Sequence, residues 1–109
     1  MSDGMARPDS IDEAFVPARS MSAYVVELDG EAVVLDEAAN RLHLLNRTAT
    51  LIWNCLDGEV DIRGLAAEIG EILDLPQREV LTDTLAVIRD LGAEGLLEGV
   101  APESESGAP

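Results

Sequence analysis

Residues 41–58 read RLHLLNRTATLIWNCLDG, and the spacing of apolar side chains changes within this stretch. Residues 41–45 are mostly apolar and show no helical period, whereas the apolar residues between 49 and 56 recur every three or four positions. Asn46 stands at the junction, where Asn is a preferred helix N-cap, and Asp57-Gly58 ends the periodic pattern. The stretch therefore predicts a strand that passes directly into a helix.

Two further strands and a tight hairpin are predicted before this junction. Residues 24–28 and 32–35 are rich in β-branched and long apolar side chains. Asp29-Gly30 between them is a strong hairpin signal, because both residue types tolerate positive φ. A turn at 38–40 leads into 41–45, which becomes the last strand of a meander and therefore an edge strand. Its two faces are both apolar, as expected if one face meets the core and the other lies in a cleft or against a partner.

Two more amphipathic helices are predicted after the junction. Asp61 is a candidate N-cap for the second helix, which stops at Leu75-Pro76, and the third helix opens near Pro76 and ends before Gly92 and Gly95. The stripe of the second helix consists of Ile62, Leu65, Ala66, Ile69, Ile72 and Leu73. Leu96-Leu97 is expected to cover the core. The element order predicts an α+β winged helix-turn-helix domain, in which three helices cover one face of a three-stranded antiparallel sheet.

Length and composition predict one small acidic domain. The chain has 109 residues and a formal net charge of −15, which disfavours nucleic acid and anionic lipid and favours partners that present Lys or Arg. Residues 1–20 and 101–109 are polar or broken by Pro, so we expect flexible tails around a folded domain at 21–100. No apolar run long enough for a membrane span and no secretory signal is present, which predicts a cytoplasmic protein.

The sequence offers little for catalysis. A single cysteine, Cys55, and a single histidine, His43, predict no disulfide, no metal site and no cofactor. Cys55 and Trp53 lie on the first helix and are expected to pack in the core. We therefore predict that the chain is not an enzyme.

The third strand and the third helix together form the candidate site. An unpaired strand edge is a template for another backbone, and residues 41–45 contain no Pro, Gly or acid to protect it. The third helix presents a half-apolar face that includes Val80, Asp83, Thr84 and Val87. A groove between this edge and this helix would admit an extended peptide by strand addition. The alternative is that a tail or a second subunit covers the edge.

The spaced residues around the junction resemble those of the PqqD-like family, whose members are also described as RiPP recognition elements. The resemblance covers about residues 24–98. It is carried by Arg41-Leu42-His43-Leu44-Leu45-Asn46, Ala49, Ile52-Trp53, Leu56-Asp57-Gly58, Leu65, Ile69, Asp83, Leu91 and Gly95-Leu96-Leu97.

This resemblance implies a non-catalytic protein that binds the leader segment of a ribosomally made precursor peptide. The leader would add to the third strand beside the third helix and be presented to a modifying enzyme, such as a radical SAM enzyme, a cyclase or a leader peptidase. The implied peptide-binding residues are Arg41, Leu42, His43, Leu44, Leu45, Val80, Asp83, Thr84, Val87, Ile88 and Leu91. Thr84 stands at a position that is commonly aliphatic in the family.

Two other functions are compatible with the predicted fold. Winged helices also bind DNA, although the segment 77–91 has two Arg against three acids. The same edge strand could instead join another protein in a regulatory or assembly complex. We expect a monomer or a weak homodimer.

Overall fold

The computed structural model describes residues 6–37 and 40–101 and confirms the predicted α+β fold. A single 3-10 turn at Pro8–Ser10 precedes a three-stranded antiparallel sheet and three helices. The elements are β1 (Ala23–Leu28), β2 (Glu31–Asp36), β3 (Arg41–Leu45), α1 (Arg47–Asn54), α2 (Ile62–Leu73) and α3 (Gln77–Ala93).

The sheet is a meander of order β1-β2-β3, so β3 is an edge strand as predicted. Asp29 and Gly30 have φ values of 56° and 82°, the left-handed pair that a two-residue hairpin turn needs to match the twist of its strands. The register sets Val26 opposite Val33 and Val33 opposite Leu44. Residues 38 and 39 of the second predicted turn lie outside the described residues.

The first two helices begin at the predicted caps. The side chain of Asn46 accepts a hydrogen bond from the amide of Ala49 at 2.8 Å, and Asp61 does the same for Gly64 at 2.8 Å. These bonds satisfy amides that have no partner within the helix itself. The α1 stripe ending at Leu56 and the pair Leu96-Leu97 are buried, as predicted.

The helices cover the sheet less evenly than we predicted. Only α1 lies directly against β2 and β3, while α2 and α3 pack mainly against each other. Ile72 and Leu73, which we placed on the buried stripe of α2, are exposed. Every residue from 71 to 79, where α2 ends and α3 begins, is exposed, because this segment extends beyond the core. One face of the sheet therefore has no described element on it.

The N-terminal segment is part of the fold, so the tail predicted for residues 1–20 does not describe residues 6–20. Ile11 is 1% exposed and packs in the core, and the guanidinium of Arg89 donates to its carbonyl oxygen at 2.7 Å. The carbonyl oxygens of Phe15 and Glu13 accept hydrogen bonds from the first two amides of α2, at 2.9 and 3.0 Å. Residues 1–5 lie outside the described residues.

The same segment explains why α3 does not end before Gly92. A side chain on Gly92 would place its Cβ 2.9 Å from Val100 and 3.4 Å from Ile11, so the close approach of both segments requires glycine inside the helix. Val100 itself is buried, and a parallel bridge joins Ala6 to it. The predicted C-terminal tail therefore starts no earlier than Ala101, and residues 102–109 lie outside the described residues.

We expect Ile11→Ala to destabilise the domain by about 2–5 kcal/mol, because the substitution opens a cavity under α3. Val16→Ala changes an exposed residue of the same segment and should alter stability by no more than about 0.5 kcal/mol. Urea unfolding followed by Trp53 fluorescence compares the two variants. Equal stabilities would mean that the segment does not pack as described.

Candidate peptide-binding groove

A groove of about 510 Å³ runs along the free edge of β3 beside the C-terminal half of α3. Its lining combines apolar side chains with acidic ones at the end of the helix. The lining residues are Leu42, His43, Leu44, Leu45, Asn46, Ala49, Val87, Asp90, Leu91, Glu94 and Leu96. Of the eleven predicted site residues, six are therefore brought together here.

The side chains of β3 alternate between the groove and the outer face of the sheet. Leu45 is buried and the side chain of His43 is 11% exposed, so both face the helices. Leu42 and Leu44 are 69% and 82% exposed and point to the opposite face. Both faces of the strand are therefore apolar and only one of them meets the core, whereas a cleft or a partner on the other face stays a prediction.

The third helix carries two neighbouring stripes of residues, and the predicted groove residues come from both of them. Val80, Thr84 and Ile88 form a core stripe, 4%, 0% and 0% exposed, and unlike the equally buried Leu91 they do not line the groove of the described structure. The groove stripe lies next to it and consists of Val87, Asp90, Leu91 and Glu94. Asp83 lies at the N-terminal end of this second stripe. It is exposed and does not line the groove.

Glu94, which the sequence analysis missed, connects the two walls of the groove. It caps the C-terminus of α3, and its Oε1 lies 3.2 Å from Nη2 of Arg41 and 3.6 Å from Nδ1 of His43. Arg41 does not line the groove itself but reaches Glu94 from the start of β3. The other missed lining residues are Asn46, Ala49, Asp90 and Leu96. Asp90 belongs to the α3 stripe that faces β3, whereas the other three come from the junction, from α1 and from the segment after α3, and only the tertiary arrangement brings them together.

The free edge of β3 is not occupied by another part of the described chain. Within residues 6–37 and 40–101, the backbone hydrogen bonds of β3 as a strand are made to β2 alone. The N-terminal segment pairs elsewhere, through an antiparallel bridge from Arg19 to Leu97. The edge of β1 is also free, but β1 is exposed along almost its whole length, so no helix forms a wall beside it.

The surroundings of Cys55 do not favour a catalytic thiolate. Burial, followed by the negative charges of Glu68 and Asp57, raises the pKa of the Cys55 thiol, so it is protonated at neutral pH. Among the described residues, no group of three His, Cys, Asp or Glu side chains is placed to hold a metal ion. No helix in this part of the chain is long and apolar enough to cross a membrane.

Comparison with known families gives a match to the groove region. The sequence model described as coenzyme PQQ synthesis protein D (PqqD) matches residues 31–97, which include β2, β3 and all three helices. The chain belongs to the PqqD family. A comparison with curated proteins gave no match.

Solved structures show the same fold as this PqqD-family chain. The PqqD part of Methylobacterium extorquens PqqCD, described as a functional and stand-alone RiPP recognition element, is 19% identical with a TM-score of 0.72, covering 84% of this chain and 97% of that one. TbiB1 in complex with the TbiA(beta) leader peptide is 23% identical with a TM-score of 0.69, covering 77% and 98%. Lasso peptide synthetase B1 complexed with its leader peptide is 20% identical with a TM-score of 0.66, covering 76% and 98%.

Thr84→Val should stabilise the domain by about 1 kcal/mol without changing peptide affinity. The Thr84 hydroxyl is buried and has no hydrogen-bond partner, so a methyl group of similar size removes a desolvation penalty. Urea unfolding measures the stability, and a titration with a bound peptide measures the affinity. A loss of stability would show that the hydroxyl has a hydrogen-bond partner. A change in affinity would show that residue 84 contributes to peptide binding.

Proposed function

We propose that this chain is a non-catalytic recognition protein that binds the leader segment of a ribosomally synthesised precursor peptide. The leader adds as a fourth strand to β3 and lies in the groove beside α3. The free edge of β3 next to a half-apolar, half-acidic helix stripe is the observation that carries this proposal. Membership of the PqqD family and the leader peptides named in two similar structures support it.

The geometry accounts for affinity and specificity separately. Main-chain hydrogen bonds to the edge of β3 hold any extended backbone, whatever its side chains. Alternate guest side chains enter the groove, where Leu45, Val87 and Leu91 form an apolar surface and Ala49 and Leu96 close one side. The remaining guest side chains lie on the outer face, alongside the exposed Leu42 and Leu44.

The partner that uses the bound peptide is a peptide-modifying enzyme, such as a radical SAM protein, a cyclase or a leader peptidase. The support for a separate enzyme is that the groove contains neither a metal cluster nor an activated nucleophile among the described residues. A leader held along β3 leaves the rest of the precursor free to reach an active site elsewhere. We propose that the chain acts in the cytoplasm, where such precursors are made.

A DNA-binding role is disfavoured by the third helix. Of the two Arg residues in 77–91, Arg89 is engaged with the carbonyl oxygen of Ile11 through both Nε and Nη2. The exposed acids Glu79, Asp83 and Asp90 would face phosphates with the same charge. No observation favours this second function over peptide binding.

Val87→Asp should weaken leader binding by about 1–3 kcal/mol, because it places an unpaired charge beside Asp90 and Glu94 in the groove. The probes are synthetic leader peptides from coding sequences that neighbour the gene, titrated into isotope-labelled protein. Amide shifts are expected at 41–45 and 87–96. Ala86→Asp adds the same charge at an exposed position one residue away and should leave affinity unchanged. Equal losses in both variants, or shifts elsewhere, would reject the groove.

The net negative charge of the protein predicts that it does not bind nucleic acid. A 30-base-pair duplex should show no measurable shift in a gel or anisotropy assay at about 150 mM salt, because the protein carries a net charge of −15. A salt-sensitive shift of the duplex would instead support the DNA-binding function.

A further inference from the structure

We infer that the groove selects a guest that carries a Lys or Arg on the same strand face as an apolar anchor, and that Arg41 competes with this guest cation for Glu94. The inference rests on the proposed function and adds the chemistry of the peptide. It depends on three side chains at one end of the groove, namely Arg41, His43 and Glu94. It assigns a selecting role to Glu94 and an inhibitory one to Arg41.

The two ends of the groove differ in chemistry. Leu45, Ala49 and Leu96 are buried apolar members of the lining, and Ala49 follows directly after the Leu45 end of β3. At the other end the Glu94 carboxylate lies beside Arg41 and His43, and Asp90 is a second carboxylate in the lining. A guest side chain that enters the first end should be apolar, and one that enters the second should be positively charged.

His43 lies beside Glu94 in the same part of the groove. Its Nδ1 is 3.6 Å from the Glu94 carboxylate oxygen Oε1. Nε2 is buried without a hydrogen-bond partner in the described structure. Lys and Arg side chains carry donors only, so a guest cation would pair with the Glu94 carboxylate and not with the enclosed Nε2.

Arg41 occupies Glu94 when the groove is free. Its Nη2 lies 3.2 Å from Glu94 Oε1, and the two side chains are 60% and 44% exposed. Such an exposed ion pair is weak and readily exchanged for another cation. The net binding free energy that a guest cation gains is therefore the free energy of its own ion pair with Glu94 minus that of the Arg41 ion pair, which is lost.

Strand alternation turns these preferences into a spacing rule. Leu45, His43 and Arg41 lie two residues apart on one face of β3. A paired guest strand repeats the same alternation, so its anchor and its cation must be separated by two or four residues. A separation of one or three sends the cation to the outer face, away from Glu94.

The test uses synthetic 12-residue peptides of identical composition, with one Leu and one Lys in a Thr, Ser and Val background. One set has the Lys two or four residues from the Leu, and the other has it one or three residues away, in both chain directions. Amide-shift titration gives a dissociation constant for each peptide. We expect the even spacings to bind about fivefold more tightly, which is the scale of a half-exposed ion pair.

Variants assign the effect to named side chains. Glu94→Gln should remove the difference between even and odd spacings, whereas Glu71→Gln makes the same charge change at an exposed site on α2 and should preserve it. Arg41→Gln should tighten the even-spaced peptides about twofold or more, because the competitor is gone. Arg78→Gln changes the charge equally, sixteen residues before Glu94 and about 24 Å away along α3, and should have no such effect.

The outcomes separate this inference from the proposed function. Shifts at the groove without a spacing preference, or weaker binding by Arg41→Gln, would overturn the competition while leaving leader binding intact. A spacing preference that survives Glu94→Gln would also overturn it. Failure of every designed peptide to bind would reject the selection rule, and the separate leader titration decides whether the groove binds peptides at all.

Discussion

The unsatisfied outer edge of β3 is the constraint on which the site depends. A buried or covered strand edge must find hydrogen-bond partners, and within residues 6–37 and 40–101 the backbone of β3 pairs as a strand with β2 alone. The Leu45 carbonyl also accepts a hydrogen bond from the Thr50 hydroxyl at 3.3 Å. The helix α3 lies beside this edge but offers no backbone groups to pair with it. The fold thus leaves an open strand edge at which an extended backbone could supply donors and acceptors in the right order.

Short-range signals predicted most of the fold. The Asp29-Gly30 turn, the N-caps at Asn46 and Asp61, and the edge position of β3 all follow from local chemistry, and the structure confirms them. The strand half of the candidate site was predictable for the same reason. Alternation along five residues divided the side chains of β3 into two apolar faces, but it did not show which face meets the core.

The remaining features depend on long-range packing, which local patterns do not encode. Ile11 sits between Pro8 and Pro17 in a polar stretch, and its burial follows from contact with α3 almost eighty residues later. The choice between the two α3 stripes likewise depends on the position of α2, which takes the stripe that contains Thr84. Glu94 lies just beyond the helix, where the sequence marks only a capping position, and its partners are more than fifty residues earlier in the chain.

The two faces of β3 make different demands on a guest. On the groove face, the Glu94 carboxylate is already paired with Arg41. Selection of a guest cation therefore depends on the difference in free energy between two ion pairs, which is small and depends on salt. On the outer face, Leu42 and Leu44 continue an exposed apolar surface that includes Val26 and Val33 in register. Each favourable cross-strand pair there would add about 0.2–1 kcal/mol. Under the proposed function, affinity would therefore arise from the backbone and the outer face, whereas selectivity would arise from the groove face, and each could change without loss of the other.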